Sequence, residues 1–169
     1  MLWRMADEPI LCFDGDRAGR KAAYRAIDTA LPLIGPGRSL RFAFLPDGQD
    51  PDDLARSGGH DAIADVLNGA RPLVDVLWTR ETEAGPLDTP ERRAALERRL
   101  ADLMNEIRDE TLRRYYRDDI RARLDALYAF DADVLDDKRI KCPGAGGKQN
   151  QRYGARELPE HVLIRKTAD

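Results

Sequence analysis

Residues 10–20 read Ile-Leu-Cys-Phe-Asp-Gly-Asp-Arg-Ala-Gly-Arg, and this stretch decides the fold. A continuous apolar run stops at two aspartates, Asp14 and Asp16, and a segment with helical spacing follows. Such a run is typical of a strand in a parallel sheet that is covered on both faces. Because side chains two apart on an extended chain point the same way, the two carboxylates are expected at one point beyond the strand's carboxyl end.

A second apolar run, residues 40–45, predicts a second strand. Between the two runs, helical spacing extends from about residue 17 to residue 33, and a Gly-Pro-Gly break at 35–37 ends it. The helix carries a stripe of mostly small apolar side chains, namely Ala18, Ala22, Ala26, Ile27, Ala30 and Leu31. The order of strand, helix and strand predicts a parallel β-α-β unit, and therefore an α/β fold.

Beyond the second strand, helical spacing predicts an α-helical bundle. One of its helices opens at Thr89-Pro90, with threonine as the N-cap and proline at the first position. Its apolar face is formed by Leu96, Leu100, Leu103 and Ile107. We divide the chain into an α/β part (1–70), a helical bundle (71–137) and a tail (138–169). The tail is rich in glycine and lacks periodicity, which predicts a disordered or unrelated segment.

The composition excludes several classes of protein. The net charge of the chain is −3, and residues 138–169 carry +5, from eight basic and three acidic side chains. The first 137 residues therefore carry −8 and lack the basic signature of a nucleic-acid-binding domain. No apolar stretch approaches the roughly 20 residues of a membrane span, and the N-terminus is too polar for a signal peptide. The two cysteines have no zinc-site spacing, and Cys12 is interpreted as a small core residue. These features predict a cytoplasmic protein.

A second acidic cluster follows the second strand, at residues 47–53. Asp50 is placed to cap a helix that has Pro51 at its first position, and Asp16 could likewise cap the helix that begins at Arg17. The alternative is a metal site, because gathered carboxylates repel one another unless a cation such as Mg²⁺ or Mn²⁺ lies between them. The two interpretations are compatible, since a capping carboxylate keeps an oxygen for a cation.

The helix after the first acidic pair also carries features that suit phosphate chemistry. Gly19 costs helix stability, and we expect it to let a phosphate or a nucleic acid come close. Four basic residues follow at helical spacing, Arg17, Arg20, Lys21 and Arg25. They form either a solvated, salt-bridged face or a set of phosphate contacts beside the metal ions.

Two motifs at this separation resemble those of the Toprim domain in bacterial replicative DNA primases. The first is residues 13–19, Phe-Asp-Gly-Asp-Arg-Ala-Gly, and the second is residues 45–52, Leu-Pro-Asp-Gly-Gln-Asp-Pro-Asp. The later helices, with Thr89-Pro90-Glu91 and the run from Glu110 to Tyr116, resemble the helical subdomain that follows Toprim in that family. The similarity covers about residues 1–130.

The resemblance implies an enzyme that joins ribonucleoside triphosphates into short RNA primers on a single-stranded DNA template, using two divalent ions. It implies Asp14, Asp16 and Asp50 as metal ligands, Asp52 as a further ligand, and Asp14 and Asp16 as catalytic. Arg17 and Lys21 are candidates for contacts to nucleotide phosphate. In the full-length family a replicative helicase is a partner, and no membrane is involved.

We expect several parts of a complete primase to be absent from this chain. It has no Cys/His set for a zinc module, no basic template-gripping subdomain and no helicase-binding domain. The Toprim glutamate lies on an earlier strand, and Glu8 is too close to Asp14 to take that place. We therefore expect a primase fragment, the second half of Toprim plus a helical bundle, that makes no primers alone. The alternatives are a Toprim nuclease or topoisomerase fragment, and a non-catalytic Toprim-like binding module.

Overall fold

A computed structural model describes residues 2–46, 48 and 51–139, with the backbone alone for Ser57 and residues 130–139. The chain divides into two compact units, Met1–Asp131 and Ala132–Asp169. The packing described below belongs to the first unit. In the second unit, residues 132–139 are helical. The tail that the sequence predicts to be disordered lies, from residue 140 onward, outside the described residues.

The predicted parallel β-α-β unit is present. Strand β1 (Ile10–Phe13) leads into helix α1 (Arg17–Ala30), which returns the chain to strand β2 (Arg41–Phe44). The two strands are parallel, with Phe13 beside Phe44. A third strand, β3 (Arg71–Pro72), pairs antiparallel with β2, so the strand order is β1-β2-β3. The sequence predicted only helices beyond β2, because a strand of two residues has no periodicity to detect.

One face of the sheet packs on the main hydrophobic core. Leu11 and Phe13 of β1 contribute to it together with Phe42 and Phe44 of β2, and the rings of Phe13 and Phe42 stack with their centroids 6.0 Å apart. Helices cover this face, so Phe42 is fully buried and the other three side chains are half-buried. The alternating burial along β1 shows that the strand is covered on one face and not on both.

The predicted apolar stripe of α1 is confirmed at Ile27, Ala30 and Leu31, which are buried, but its first half lies one residue later than predicted. The buried positions are Gly19, Ala23, Ile27 and Ala30, whereas Ala18 is exposed and Ala22 and Ala26 are half-buried. Sequence spacing alone did not decide which helix face is buried, since residues 18, 22 and 26 and residues 19, 23 and 27 both form i, i+4 rows of mostly small side chains. The face that contains Gly19 is the buried one, and the first turn of α1 packs there against the backbone of Asp14.

The interpretation of Cys12 as a core residue was wrong. Cys12 is exposed, as is Ile10 at 38% relative accessibility, because both point away from the main core. Ala43, next to Cys12 in register, is buried. Helix α2 (Pro51–Asn68) contacts β2, and it bends at Gly59, whose φ of 62° is left-handed. Cover on this face therefore reaches β2, while the alternate side chains of β1 stay open to solvent.

Three further helices complete the described fold: α3 (Leu73–Thr82), α4 (Pro90–Glu106) and α5 (Glu110–Arg139). The predicted opening of α4 is confirmed, since Thr89 accepts a hydrogen bond from the Arg92 amide and Pro90 is the first helical residue. Its buried residues are Leu96, Leu100 and Met104, with Leu103 only half-buried against the core. Within the described residues, no helix combines the length and the apolar character that crossing a membrane requires.

An ion-pair network centred on the buried Glu81 joins α1, α3 and α4. Glu81 of α3 is only 7% exposed and accepts hydrogen bonds from Arg80 Nε (2.8 Å) and from Arg99 Nε of α4 (2.9 Å). Arg80 also donates to Asp28 of α1 at 2.6 Å. Burial by itself would lower the pKa of Arg80, but its hydrogen bonds and charge interactions with Asp28 and Glu81 raise it. The network therefore holds a charged cluster in place between α1, α3 and α4.

Candidate functional site

Asp14 lies at the carboxyl edge of the sheet, directly after the last residue of β1. The Leu45 amide donates to the Phe13 carbonyl at 2.9 Å, so the ends of the two parallel strands are fixed side by side at this edge. The Asp14 side chain is exposed, and it forms no hydrogen bond or ion pair with any residue that the structure describes. Its two oxygens are therefore available to a ligand from solvent.

Asp16 is the N-cap of α1, as one of the two sequence interpretations proposed. Its Oδ1 accepts a hydrogen bond from the Gly19 amide at 2.7 Å, and its backbone is extended, with φ −73° and ψ 177°. This bond satisfies one of the free amides of the first helical turn and stabilises the helix start. The carboxylate remains exposed, so its second oxygen is free to accept another partner.

Gly19 acts differently from the sequence expectation. We expected it to admit a phosphate or a nucleic acid, but the space beside its Cα is filled by the backbone of Asp14. A Cβ placed at Gly19 would overlap the carbonyl oxygen of Asp14 and would lie only 2.8 Å from the carbonyl carbon. The glycine is therefore a packing requirement, since it lets the first turn of α1 press against the acidic loop.

The second acidic cluster is only partly described. Asp50, a predicted ligand, lies outside the described residues, as does Asp47. Asp52 is exposed in the first turn of α2 and makes a long contact of 3.9 Å with Arg56. Among the residues that the structure does describe, no three His, Cys, Asp or Glu side chains are grouped to hold a metal ion. The placement of Asp14 with Asp50 thus stays a prediction.

The predicted phosphate contacts, Arg17 and Lys21, lie exposed on the first two turns of α1. The structure singles out another residue of the same basic run. Arg20 Nε donates to the Gly15 carbonyl at 3.1 Å, which fixes its guanidinium beside the acidic loop. Arg71 of β3 also lines the cavity that opens here. Sequence reasoning missed Arg71, because it is distant in sequence from both motifs and belongs to no pattern.

These features define a class of protein. It is an α/β protein in which a parallel β-α-β unit presents an Asp-Gly-Asp carboxylate pair at the carboxyl edge of its sheet, and in which a set of helices follows. The carboxyl edge is where open α/β sheets bind ligands. Paired carboxylates in that position supply the hard oxygen donors that divalent cations prefer.

The chain is similar to known DNA primases. The chain is 40% identical to the DNA primase of Escherichia coli strain K12 over 141 residues, which are 83% of this chain and 23% of that protein. It superimposes on the DnaG catalytic core with a TM-score of 0.66 and 44% identity, over 73% of this chain and 40% of that one. The DnaG primase catalytic domain bound to single-stranded DNA gives a TM-score of 0.66 and 43% identity, over 72% of this chain and 39% of that one.

The chain is a homologue of the bacterial DnaG-type DNA primases, and it spans about a quarter of the length of the curated relatives it matches. The resemblance drawn from the two motifs is thereby confirmed, as is the α/β fold class. The family described as the DnaB-helicase binding domain of primase matches residues 74–126, which belong to α3, α4 and α5. This match corrects the expectation that a helicase-binding segment is absent.

Proposed function

We propose that this chain is the metal-binding and helical part of a bacterial-type DNA primase, which makes short RNA primers on single-stranded DNA by nucleotidyl transfer. The observation that carries the proposal is the position of Asp14 and Asp16. They follow a strand of a β-α-β unit in a chain that is 44% identical to a primase catalytic core over 73% of its length. Under this proposal the chain acts in the bacterial cytoplasm during replication and makes no primers alone.

The carboxylates fit a divalent cation in their chemistry. Asp14 offers both oxygens, Asp16 offers the oxygen that does not cap α1, and Asp52 is exposed at the start of α2. With Asp50 they would form the ligand set for Mg²⁺ or Mn²⁺. When bound, such an ion supplies Lewis acidity and neutralises charge that develops on phosphoryl oxygens. The protein's own part is to hold the oxygens at the edge of the sheet, with Gly19 fixing the acidic loop.

The proposed partners are single-stranded DNA, ribonucleoside triphosphates and the replicative helicase. Arg17 and Lys21 are near enough in sequence to the acidic pair to reach nucleotide phosphate, and both are exposed. The primase solved with single-stranded DNA is 43% identical to this chain, which supports a template as partner. The match of residues 74–126 to the helicase-binding family supports contact of the helicase with α3, α4 and α5.

A segment exchange tests the proposed function directly. The matching segment of the Escherichia coli primase is replaced by the part of this chain that aligns with it, and RNA primers are measured on single-stranded DNA with ribonucleotides and Mg²⁺. We expect the chimaera to make primers and its Asp14→Asn form to make none, because the metal site would lose a charged ligand. A folded chimaera without activity would contradict the proposal, and so would robust synthesis by the isolated chain. DNA nicking without ribonucleotides would favour the nuclease alternative.

Substitution of Asp14 and Asp16 by asparagine separates the metal site from simple helix capping. Asparagine caps a helix as well as aspartate does, so the fold is retained while two negative charges are removed. Because even outer-shell changes weaken metal binding by 10–100-fold, we expect at least about tenfold weaker Mn²⁺ binding by calorimetry. Asp118→Asn, which alters an exposed carboxylate on α5, is the control and should bind Mn²⁺ unchanged. If the unaltered chain, the variant at Asp14 and Asp16 and the Asp118→Asn control all bind Mn²⁺ equally, the non-catalytic binding module would be the remaining interpretation.

A further inference from the structure

The three residues of the acidic loop, 14–16, are each held by a different contact. The backbone of Asp14 lies against Gly19, and the Asp16 carboxylate caps α1. Gly15, which separates the two aspartates in sequence, is buried, and its carbonyl accepts a hydrogen bond from Arg20 Nε at 3.1 Å. Of these three contacts, only the last depends on a side chain that lies outside the loop.

The hydrogen bond from Arg20 satisfies a backbone group that has no other partner nearby. A backbone carbonyl that is taken out of water costs free energy unless it is paired. In the described part of the chain, no backbone amide donates to the Gly15 carbonyl, so the Arg20 guanidinium is its donor. Loss of this donor would therefore remove a constraint on the peptide unit that links the two aspartates.

Arg20 binds the acidic loop without occupying its carboxylates. A guanidinium group pairs readily with carboxylate oxygens. Even so, no carboxylate of the described residues lies within 4.0 Å of Arg20, although Asp14 and Asp16 flank the residue to which it bonds. The arginine thus fixes the backbone of the loop and leaves the oxygens of both aspartates open to a ligand.

The other basic residues of the same helix do not share this contact. Arg17, Lys21 and Arg25 are exposed, and within the residues that the structure describes their side chains donate no hydrogen bond. Arg20 is therefore the basic residue of α1 that is tied to the loop. Arg25, which lies further along α1 and carries the same charge, is the matched control.

We propose that Arg20 is a positioning residue for the acidic pair. Its hydrogen bond to Gly15 orders the loop before any cation arrives, so that Asp14 and Asp16 present their free oxygens to a divalent ion without rearrangement. The ordering of the loop depends on the contacts described above. Its effect on cation binding rests on the proposed function.

Three substitutions at Arg20 separate the hydrogen bond from the charge. Arg20→Gln keeps an N–H donor at the point of the side chain where Nε lies but is neutral, and Arg20→Lys keeps the charge but has a methylene there. Arg20→Met has neither. If Arg20 acted by charge alone, the neutral variants would bind a cation more tightly, because like charges repel, and Arg20→Lys would be unchanged.

The test measures Mn²⁺ binding by calorimetry at a temperature at which circular dichroism shows every protein to be folded. We expect Arg20→Lys and Arg20→Met to bind about tenfold more weakly than the unaltered chain, because loss of the groups that orient metal ligands usually costs 10–100-fold. Arg20→Gln should retain the affinity. The control, Arg25→Met, should change it by less than about twofold, because exposed charges are screened by salt.

A second measurement on the same proteins needs no metal. The heteronuclear ¹⁵N NOE of the Gly15 and Asp16 amides reports motion of the loop on the picosecond to nanosecond timescale. We expect the NOE to fall in Arg20→Lys and Arg20→Met and to keep its value in Arg20→Gln and Arg25→Met. A role in stability alone would lower the unfolding temperature and leave both readings unchanged in the folded protein.

The proposal is overturned if Arg20→Lys and Arg20→Met bind Mn²⁺ as tightly as the unaltered chain, or if the amides of the loop do not change. A loss in Arg20→Gln as large as that in Arg20→Met would assign the effect to charge, and would overturn it as well. If Arg20→Met does not fold, the comparison of Arg20→Lys with Arg20→Gln decides. An unaltered chain that binds no Mn²⁺ would refute the proposed metal site, and the amides would still decide whether Arg20 orders the loop.

Discussion

Replacing Gly19 by alanine should destabilise the protein by about 2–3 kcal/mol, which is in the range of overpacked core positions. Helix propensity predicts the opposite sign, since alanine is favoured over glycine by about 1 kcal/mol in a helix interior. The clash decides the outcome. The added Cβ would overlap the backbone of Asp14, and backbone atoms cannot turn aside as a flexible side chain can. Urea unfolding followed by circular dichroism measures the effect.

Gly85→Ala is the matched control, because a Cβ there meets no atom within 4 Å and the residue has no positive φ. It should leave the stability unchanged or raise it by a few tenths of a kcal/mol. We also expect Gly19→Ala to weaken Mn²⁺ binding, because relief of the clash must move Asp14. A Gly19→Ala protein as stable as the unaltered chain would show that α1 does not pack against the acidic loop as described.

Removing the buried carboxylate with Glu81→Ala should cost about 3 kcal/mol. Loss of one partner of a buried ion pair leaves the other charge without compensation, and such changes usually cost about 3–5 kcal/mol. We expect the lower end, because Arg99 is 44% exposed and water can solvate it, and because the less exposed Arg80 keeps its ion pair with Asp28. The free energy of unfolding, obtained from urea titration, gives the answer.

Glu97→Ala removes an exposed carboxylate from α4 and serves as the control, with an unfolding midpoint close to that of the unaltered chain. The salt dependence adds a second readout. Buried charges are screened far less than exposed ones, so the cost of Glu81→Ala should persist at high salt. A loss below about 1 kcal/mol, the value of an ordinary surface pair, would mean that Glu81 is solvated and that the helices do not meet through it.

The β-α-β unit could be predicted from the sequence because each of its parts is local. Two apolar runs, a helical segment and the break at residues 35–37 suffice to specify two parallel strands with a crossover helix. The cap at Thr89 was equally local. Strand β3 was missed, since it has only two residues and its partner Phe42 is far away in sequence.

The sequence could not show which face of an element is covered, or which residues distant along the chain lie close together. An apolar strand does not reveal which of its faces is covered, so Cys12 was assigned to the core although it is exposed. A glycine in a helix does not reveal what it approaches, so Gly19 was interpreted as room for a ligand. Arg71 and Arg20 are distant in sequence but line the same cavity. The antiparallel pairing of β3 with β2 brings Arg71 there.

The cap of α1 bears on which divalent ion the proposed metal site would prefer. One oxygen of Asp16 is engaged with the Gly19 amide, so this side chain is poorly placed to grip a cation with both oxygens. Calcium favours such two-oxygen contacts within large, flexible shells, whereas magnesium takes single oxygens in a small octahedron and keeps much of its water. If the carboxylates bind a divalent ion as proposed, the helix start would therefore favour magnesium over calcium.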